Sequence, residues 1–304
     1  MDLNPTHLVK KNVMNVQIYH DTNMHYIIGD PIRHSLSPVI YNTLYQRYEM
    51  NTVCLTAHVP KGQLKTFFDA RDLFRICTVN VTIPHKTDVL AFADTIDEEA
   101  DLYQSANTIA IRNDQLHAYS TDAQGFVLSM AKQDVSFADQ HVAILGAGGA
   151  AAPIALRAAR EKAASILILA RRIESANDLT LKIQQFFDIP CKTALLQDSA
   201  SHIASSTLLI NTTPLGMAGF GLDFPAFDFL EHLPKNAVVY DIVYNPSTTA
   251  LLHHAQAQQR KTIGGIGMLI WQAFAAFEIF YGQLPNSHDF AAVQSALSSQ
   301  GFFV

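Results

Sequence analysis

A chain of 304 residues is long enough for about two domains, and a composition of 49% hydrophobic and 16% charged residues excludes a disordered or low-complexity protein. With 27 acidic against 21 basic residues the net charge is −6, which excludes non-specific binding to nucleic acid or to an anionic membrane and leaves any anion to a few placed side chains. The three cysteines, Cys54, Cys77 and Cys191, are odd in number, far apart and without a CxxC pair. No disulfide framework and no metal site is therefore predicted, and a reducing cytoplasm is the expected setting.

Residues 1 to 24 show no hydrophobic period and are predicted to be an extension; Lys10 and Lys11 are not followed by the apolar run of a signal peptide. His25 to Gly29 reads as a short buried strand. After the Asp30-Pro31 loop a helix is predicted from about Pro38, with Ser37 as its N-cap. Strands follow at 53–59 and 76–83 with a helix at 61–72 between them, a rhythm that implies a mostly parallel sheet. Segments 109–112 and 116–119 flank a hairpin turn, and 122–132 is predicted helical. A second βα series starts at His141, with strands near 142–145, 166–170, 192–196, 207–211 and 237–241. Met268 to Tyr281 is apolar but broken by Gln272 and Glu278, too short to span a membrane and suited to a buried helix.

The most specific local motif is HVAILGAGGAAAPIALRAA, residues 141–159: an apolar strand, Gly146-x-Gly148-x-x-Ala151, then an alanine-rich helix. This is the dinucleotide-binding fingerprint in the context that gives it meaning. Gly146 allows the tight turn, Gly148 lets backbone approach a pyrophosphate, and Ala151 permits close helix–strand packing. The helix N-terminus offers free N–H groups and partial positive charge to the anion. The next strand ends in Arg171-Arg172, where an NAD site would carry an acid for the ribose 2′-hydroxyl. An arginine fork suits a 2′-phosphate, so NADP is expected over NAD; two solvated arginines are the plainer alternative.

Three clusters place polar groups after apolar strands of the first half. Ser35 and Ser37, two apart at a helix start, can both donate to a carboxylate, or Ser37 can merely cap. Lys86 follows the strand NVTIP directly and so falls at the carboxyl edge of a sheet, where α/β folds bind ligands; a solvated lysine is the alternative. Asp122 stands at a strand-to-helix junction, the usual place of a cap.

Taken in order, GDPIRHSLSP, NVTIPHK, ANT (106–108), STDAQG, LGAGGAA, INTTPLGM, DIVYNP and GGIGMLIWQAFAAFEIFYG resemble the shikimate dehydrogenase family from about residue 25 to 285. The resemblance implies an α/β fold of two domains, an N-terminal substrate-binding α/β domain and a Rossmann-like NAD(P)-binding domain, with the active site in the cleft between them. It implies an extension at 1–24, a substrate-binding unit of 25–122 with 268–304, and an NADP-binding unit of 123–267. The implied activity is the reversible reduction of 3-dehydroshikimate to shikimate, in the chorismate route to aromatic amino acids, by a cytoplasmic monomer or homodimer with no nucleic-acid or membrane partner.

Carried over by position, the resemblance makes Lys86 the catalytic lysine and Asp122 its aspartate partner. Ser35, Ser37 and Tyr244 fall at the substrate carboxylate, and Thr82, Asn107 and Gln272 at other substrate groups. Gly146, Ala147, Gly148, Gly149 and Ala150 form the pyrophosphate loop. Arg171, joined by Arg172, meets the 2′-phosphate, and Thr212, Ile242, Gly265 and Met268 lie at the nicotinamide side. The chain departs from the family at Tyr41, where a histidine is usual, and in the residues around Asn107, Asp122 and Arg171. A quinate/shikimate dehydrogenase using NAD keeps the same charged groups and stays open, as does a non-catalytic sensor of shikimate-like ligands; retention of both Lys86 and Asp122 argues against the sensor.

Overall fold

The protein is described by a computed structural model covering residues 18–33 and 35–299. The predicted extension at 1–24 lies outside the described residues up to residue 17, as do the last five residues of the predicted 268–304 segment. In chain order the first half runs β1 (Asn23–Gly29), α1 (Ser37–Arg47), β2 (Thr52–His58), α2 (Leu64–Asp69), β3 (Ile76–Val81), β4 (Thr95–Ile96), α3 (Glu98–Tyr103), β5 (Thr108–Arg112), β6 (Gln115–Tyr119) and α4 (Asp122–Ala131). The second runs β7 (His141–Leu145), α5 (Ala151–Arg160), β8 (Ser165–Ala170), α6 (Ile173–Phe186), β9 (Cys191–Leu195), β10 (Leu208–Asn211), β11 (Val238–Asp241), α7 (Ala250–Ala257), β12 (Lys261–Gly264), α8 (Ile266–Tyr281) and α9 (Ser287–Ser299).

Two six-stranded sheets result. The first has the order β2-β1-β3-β5-β6-β4: β1 runs parallel to β2 and β3, and the β5–β6 hairpin joins antiparallel to β3. The second is wholly parallel, β12-β11-β10-β7-β8-β9. Counted from β7, that is the doubly wound order of dinucleotide-binding sheets, with a switch point between β7 and β10. Its strands are near-continuous apolar runs because helices cover both faces: Ile144, Ile168, Leu208 and Val239 are fully buried.

After β12 the chain returns to the first sheet. Phe274 and Phe277 of α8 pack in one cluster with Ile27, Tyr41 and Tyr45 of β1 and α1. Helix α8 also crosses α4 at very short range, and the crossing needs glycine. A Cβ on Gly125 would lie 2.4 Å from the backbone nitrogen of Gln272. Gly125→Ala is therefore expected to cost about 1–3 kcal/mol by overpacking. Thermal unfolding checks this; an unchanged Tm would contradict so close a crossing.

Four local expectations differ from the structure. Ser37 does not cap α1: it is the first helical residue, the N-cap is the buried Leu36, and no side chain caps the helix. The Ser37 N–H donates instead to Ser35 Oγ at 3.3 Å. Helix α2 is shorter than 61–72 because Gly62 adopts φ +86 and ends any earlier helical start. The two-residue β4 and the edge strand β12, in which only Ile263 is buried, are too short to show a period in the sequence. Helix α3 was not predicted either; Asp97 caps it by accepting the Ala100 N–H at 2.9 Å.

Candidate active site

Parallel β1 and β3 both end at the same edge of the first sheet, so the segments that follow Gly29 and Val81 emerge side by side. The antiparallel β5 begins at that edge and β6 ends there, which adds Asn107 and the Ser120-Thr121-Asp122 turn. Four segments far apart in sequence thus converge. On the other side α8 brings Gln272, and the ends of β7, β11 and β12 bring Ala150, Ile242, Tyr244 and Gly265.

These segments enclose a cavity of about 450 Å³. All eight residues assigned from the sequence to catalysis or substrate line it: Ser35, Ser37, Thr82, Lys86, Asn107, Asp122, Tyr244 and Gln272. Ala150, Ile242, Gly265 and Met268 line it as well. Gly146 to Gly149, Arg171, Arg172 and Thr212 do not line it; they lie along the carboxyl edge of the second sheet. A larger crevice of about 990 Å³ runs between α3 and α6; the two bases that line it are already engaged, Arg160 with Glu98 at 2.6 Å and Lys182 with the Tyr103 carbonyl at 3.0 Å.

Within the smaller cavity Lys86 Nζ meets Asp122 Oδ2 at 2.5 Å, with 28% and 15% of the two side chains exposed. Asp122 is the first residue of α4, yet its carboxylate makes no cap bond. Its other oxygen accepts from Asn107 Nδ2 at 2.9 Å, and the same amide reaches Gln272 Oε1 at 3.2 Å. Lys86, Asp122, Asn107 and Gln272 therefore form one connected group. Ser35 and Ser37 stand at the N-terminus of α1, where the helix dipole favours an anion. Tyr244 is carried by the segment after β11, tied down by the fully buried Asp241. That carboxylate accepts from Asn211 Nδ2 at 2.9 Å, Val243 N at 3.0 Å and Thr249 Oγ1 at 2.6 Å. Burial pushes the Asp241 carboxyl up to about 6 against the pull of these bonds, and burial likewise raises the Tyr244 phenol.

The second sheet presents a cradle at its switch point. Gly146 adopts φ +112, and a Cβ there would stand 2.6 Å from Thr212 Oγ1, so the ends of β7 and β10 touch only because the residue is glycine. A Cβ on Gly148 or Gly149 would meet nothing within 4 Å. Among the described residues the N–H groups of Gly148, Gly149 and Ala150 find no partner. Open space beside free N–H groups at a helix start fits a pyrophosphate. Arg171 and Arg172 follow β8 directly, are exposed, and pair with no acid among the described residues, so they fit a 2′-phosphate.

Sequence reasoning missed Asn80, which also lines the cavity and is 7% exposed. Its signal was present: a single amide inside the buried strand ICTVNV. Among the described residues no cluster of His, Cys, Asp and Glu could hold a metal ion, and no helix is long and apolar enough to cross a membrane.

Comparison with known proteins bears on this geometry. The pattern of the shikimate dehydrogenase substrate binding domain matches residues 27–109, and that of the shikimate 5′-dehydrogenase C-terminal domain matches 265–293. A shikimate dehydrogenase (NADP(+)) of Alkaliphilus metalliredigens is 34% identical over 275 residues, covering 89% of this chain and 95% of the relative. The shikimate 5-dehydrogenase of Listeria monocytogenes, solved with shikimate and NAD, superimposes with a TM-score of 0.84 at 28% identity, over 93% of this chain and 99% of that one. A 5-ketofructose reductase of Gluconobacter superimposes with a TM-score of 0.82 at 26% identity, over 92% and 99%. One third identity over nearly the whole length, in both halves and in unbroken order, makes this chain a member of the shikimate dehydrogenase family.

Proposed function

We propose that this chain catalyses the reversible, NADP-dependent reduction of 3-dehydroshikimate to shikimate. The observation that carries this reading is the convergence of the eight expected side chains on one cavity, with Lys86 and Asp122 paired at 2.5 Å inside it. The NADP-dependent relative supports the cofactor. The free N–H groups at Gly148 to Ala150 and the two unpaired arginines supply the matching donors, with Gly146, Ala147, Thr212, Ile242, Gly265 and Met268 completing that side. We divide the chain accordingly, with 25–122 and 268–304 around the substrate, 123–267 around the cofactor, and 1–24 ahead of both.

When bound, the reduced form of NADP would supply the hydride to the ketone, and the oxidised form would take it back from shikimate. The chain supplies position and a proton. Ser35, Ser37 and Tyr244 hold the carboxylate, which places the ring against Thr82, Asn107 and Gln272. Lys86, oriented by Asp122, gives a proton to the carbonyl oxygen as negative charge builds there, and takes it back in the oxidative direction. A carboxylate site also separates this substrate from 5-ketofructose, which has none. The three cysteines are free thiols, in keeping with a reducing, cytoplasmic setting.

Two experiments test these roles. Shikimate with NADP should raise absorbance at the reduced-nicotinamide band; no change at any concentration would contradict the activity. Ser35→Ala and Ser37→Ala should each raise KM for shikimate about tenfold, the lower end for a hydrogen bond to a charged group. Because the Ser37 side chain does not cap α1, Ser37→Ala should stay within about 0.5 kcal/mol of wild-type stability, whereas Ser35→Ala also loses the bond from the Ser37 N–H and about 1 kcal/mol with it. A lowered Tm with an unchanged KM would show the serines to be structural.

A further inference from the structure

Behind Asp122 lies a buried run of hydrogen bonds whose direction is set by backbone groups. The Thr121 N–H can only donate, and it meets Asn107 Oδ1 at 2.9 Å. Asn107 therefore turns its Nδ2 to Asp122 Oδ1. The Asn107 carbonyl can only accept, and it faces the Asn80 side chain at 3.0 Å, so that atom is Nδ2. The same Nδ2 reaches Thr108 Oγ1 at 3.1 Å, and Thr108 passes its proton to Asn107 Oδ1 at 3.1 Å.

With Nδ2 spent on these acceptors, Asn80 Oδ1 faces His25 Nε2 at 2.9 Å. That nitrogen must carry a hydrogen. His25 Nδ1 then accepts, and its partner at 2.7 Å is the Tyr45 hydroxyl, which in turn accepts from Tyr281 at 3.1 Å. Every bond from Tyr281 to Asp122 donates toward the carboxylate. His25 and Thr108 are fully buried, and Tyr45, Asn80 and Asn107 nearly so. In such surroundings bonds aligned head to tail strengthen one another.

We infer that His25 and Asn80 are positioning residues for the active site. His25, neutral and fixed as its Nε2–H tautomer, orients the Asn80 amide; Asn80 holds the Asn107 segment, and Asn107 presents Asp122 and its own amide to the substrate. Burial supports the neutral ring, for it pushes the His25 imidazole down to about 3. Tyr41 closes the ring's apolar side, edge-on with centroids 4.3 Å apart. The inference rests on the functional reading above only in that the cavity must bind shikimate.

Two measurements test it. The first replaces the ring. His25→Leu removes the donor to Asn80; His25→Gln keeps an N–H at a similar reach. In His25→Leu, KM for shikimate should rise and kcat fall, together lowering kcat/KM by about 10- to 100-fold as expected of a misplaced site, while KM for NADP stays unchanged. His25→Gln should recover most of the loss. A merely structural histidine would lower Tm and the active fraction without moving KM, so an unchanged KM for shikimate in folded His25→Leu overturns the inference. So does an equal loss in His25→Gln. The second needs no activity: with the His25 signal assigned as the one lost in His25→Gln, the ¹⁵N shifts of the wild-type rings should show His25 as a neutral Nε2–H ring that does not titrate from about pH 6 to 8. An Nδ1–H or charged His25 would overturn the inference. A wild-type chain with that ring but no shikimate oxidation would instead contradict the functional reading.

Discussion

Lys86→Ala should lower kcat by about 10²–10⁴-fold, the usual worth of a positioned general acid or base, with KM for NADP unchanged. The expectation follows from where the side chain is held. Lys86 stands in the loop that follows β3, lines the cavity, and is tied to Asp122 at 2.5 Å. It keeps about a quarter of its surface open, enough to meet a substrate oxygen. Asp122 is held in turn by Asn107, so the ammonium has little freedom to turn away. None of these contacts involves the second sheet, which is why cofactor binding should not change. Asp122→Asn should also lower kcat, since it removes the charge that orients the lysine while keeping a side chain of the same shape. Near-normal turnover in a folded Lys86→Ala chain would leave the proton transfer to another group and remove the basis of the mechanism.

Arg171→Ala should raise KM for NADP by roughly 10- to 150-fold, equivalent to about 1.5–3 kcal/mol for a hydrogen bond to a charged group. KM for NAD should barely change. The 2′-phosphate is the only chemical difference between the two cofactors, and it carries close to two negative charges. Arg171 and Arg172 are exposed and free of acidic partners among the described residues, so binding the phosphate breaks no existing ion pair. If both contribute, the single variant will fall at the low end of the range and the double variant at the high end. Because the arginines face solvent, the NADP preference should weaken as ionic strength rises. An Arg171→Ala, Arg172→Ala chain with unaltered KM for NADP would reduce both to surface residues.

The parts of the fold that could be read in advance are those with a strong period or a strong stop. β1, β3 and the series from β7 are apolar runs ended by Gly29, Pro84 and Gly146. The Gly146 fingerprint carries its own physical reason, and the second sheet has the strand order that the fingerprint implies. Other elements were illegible because they are decided by packing. β12 pairs with β11 only, lies against α7, and buries one side chain. Ser37 looked like a cap because serine before proline usually is one, but burial of Leu36 starts the helix a residue earlier.

For the site, chain-local patterns place Lys86 and Asp122 at the ends of strands but cannot say that the two touch. That contact depends on β6 lying beside β5, and β5 beside β3, a topology no local period encodes. The resemblance of the whole motif series supplied it. Asn80 and His25 escaped because a polar residue in a buried strand is legible only once its partners are known.

The most direct test of the account is kcat/KM in the wild-type chain for shikimate with NADP and with NAD. Ser35, Ser37, Tyr244 and the Lys86–Asp122 pair in one cavity predict oxidation of shikimate, and the arginine fork at the end of β8 predicts the higher value with NADP. No turnover of shikimate with either cofactor, or a higher value with NAD than with NADP, would contradict it.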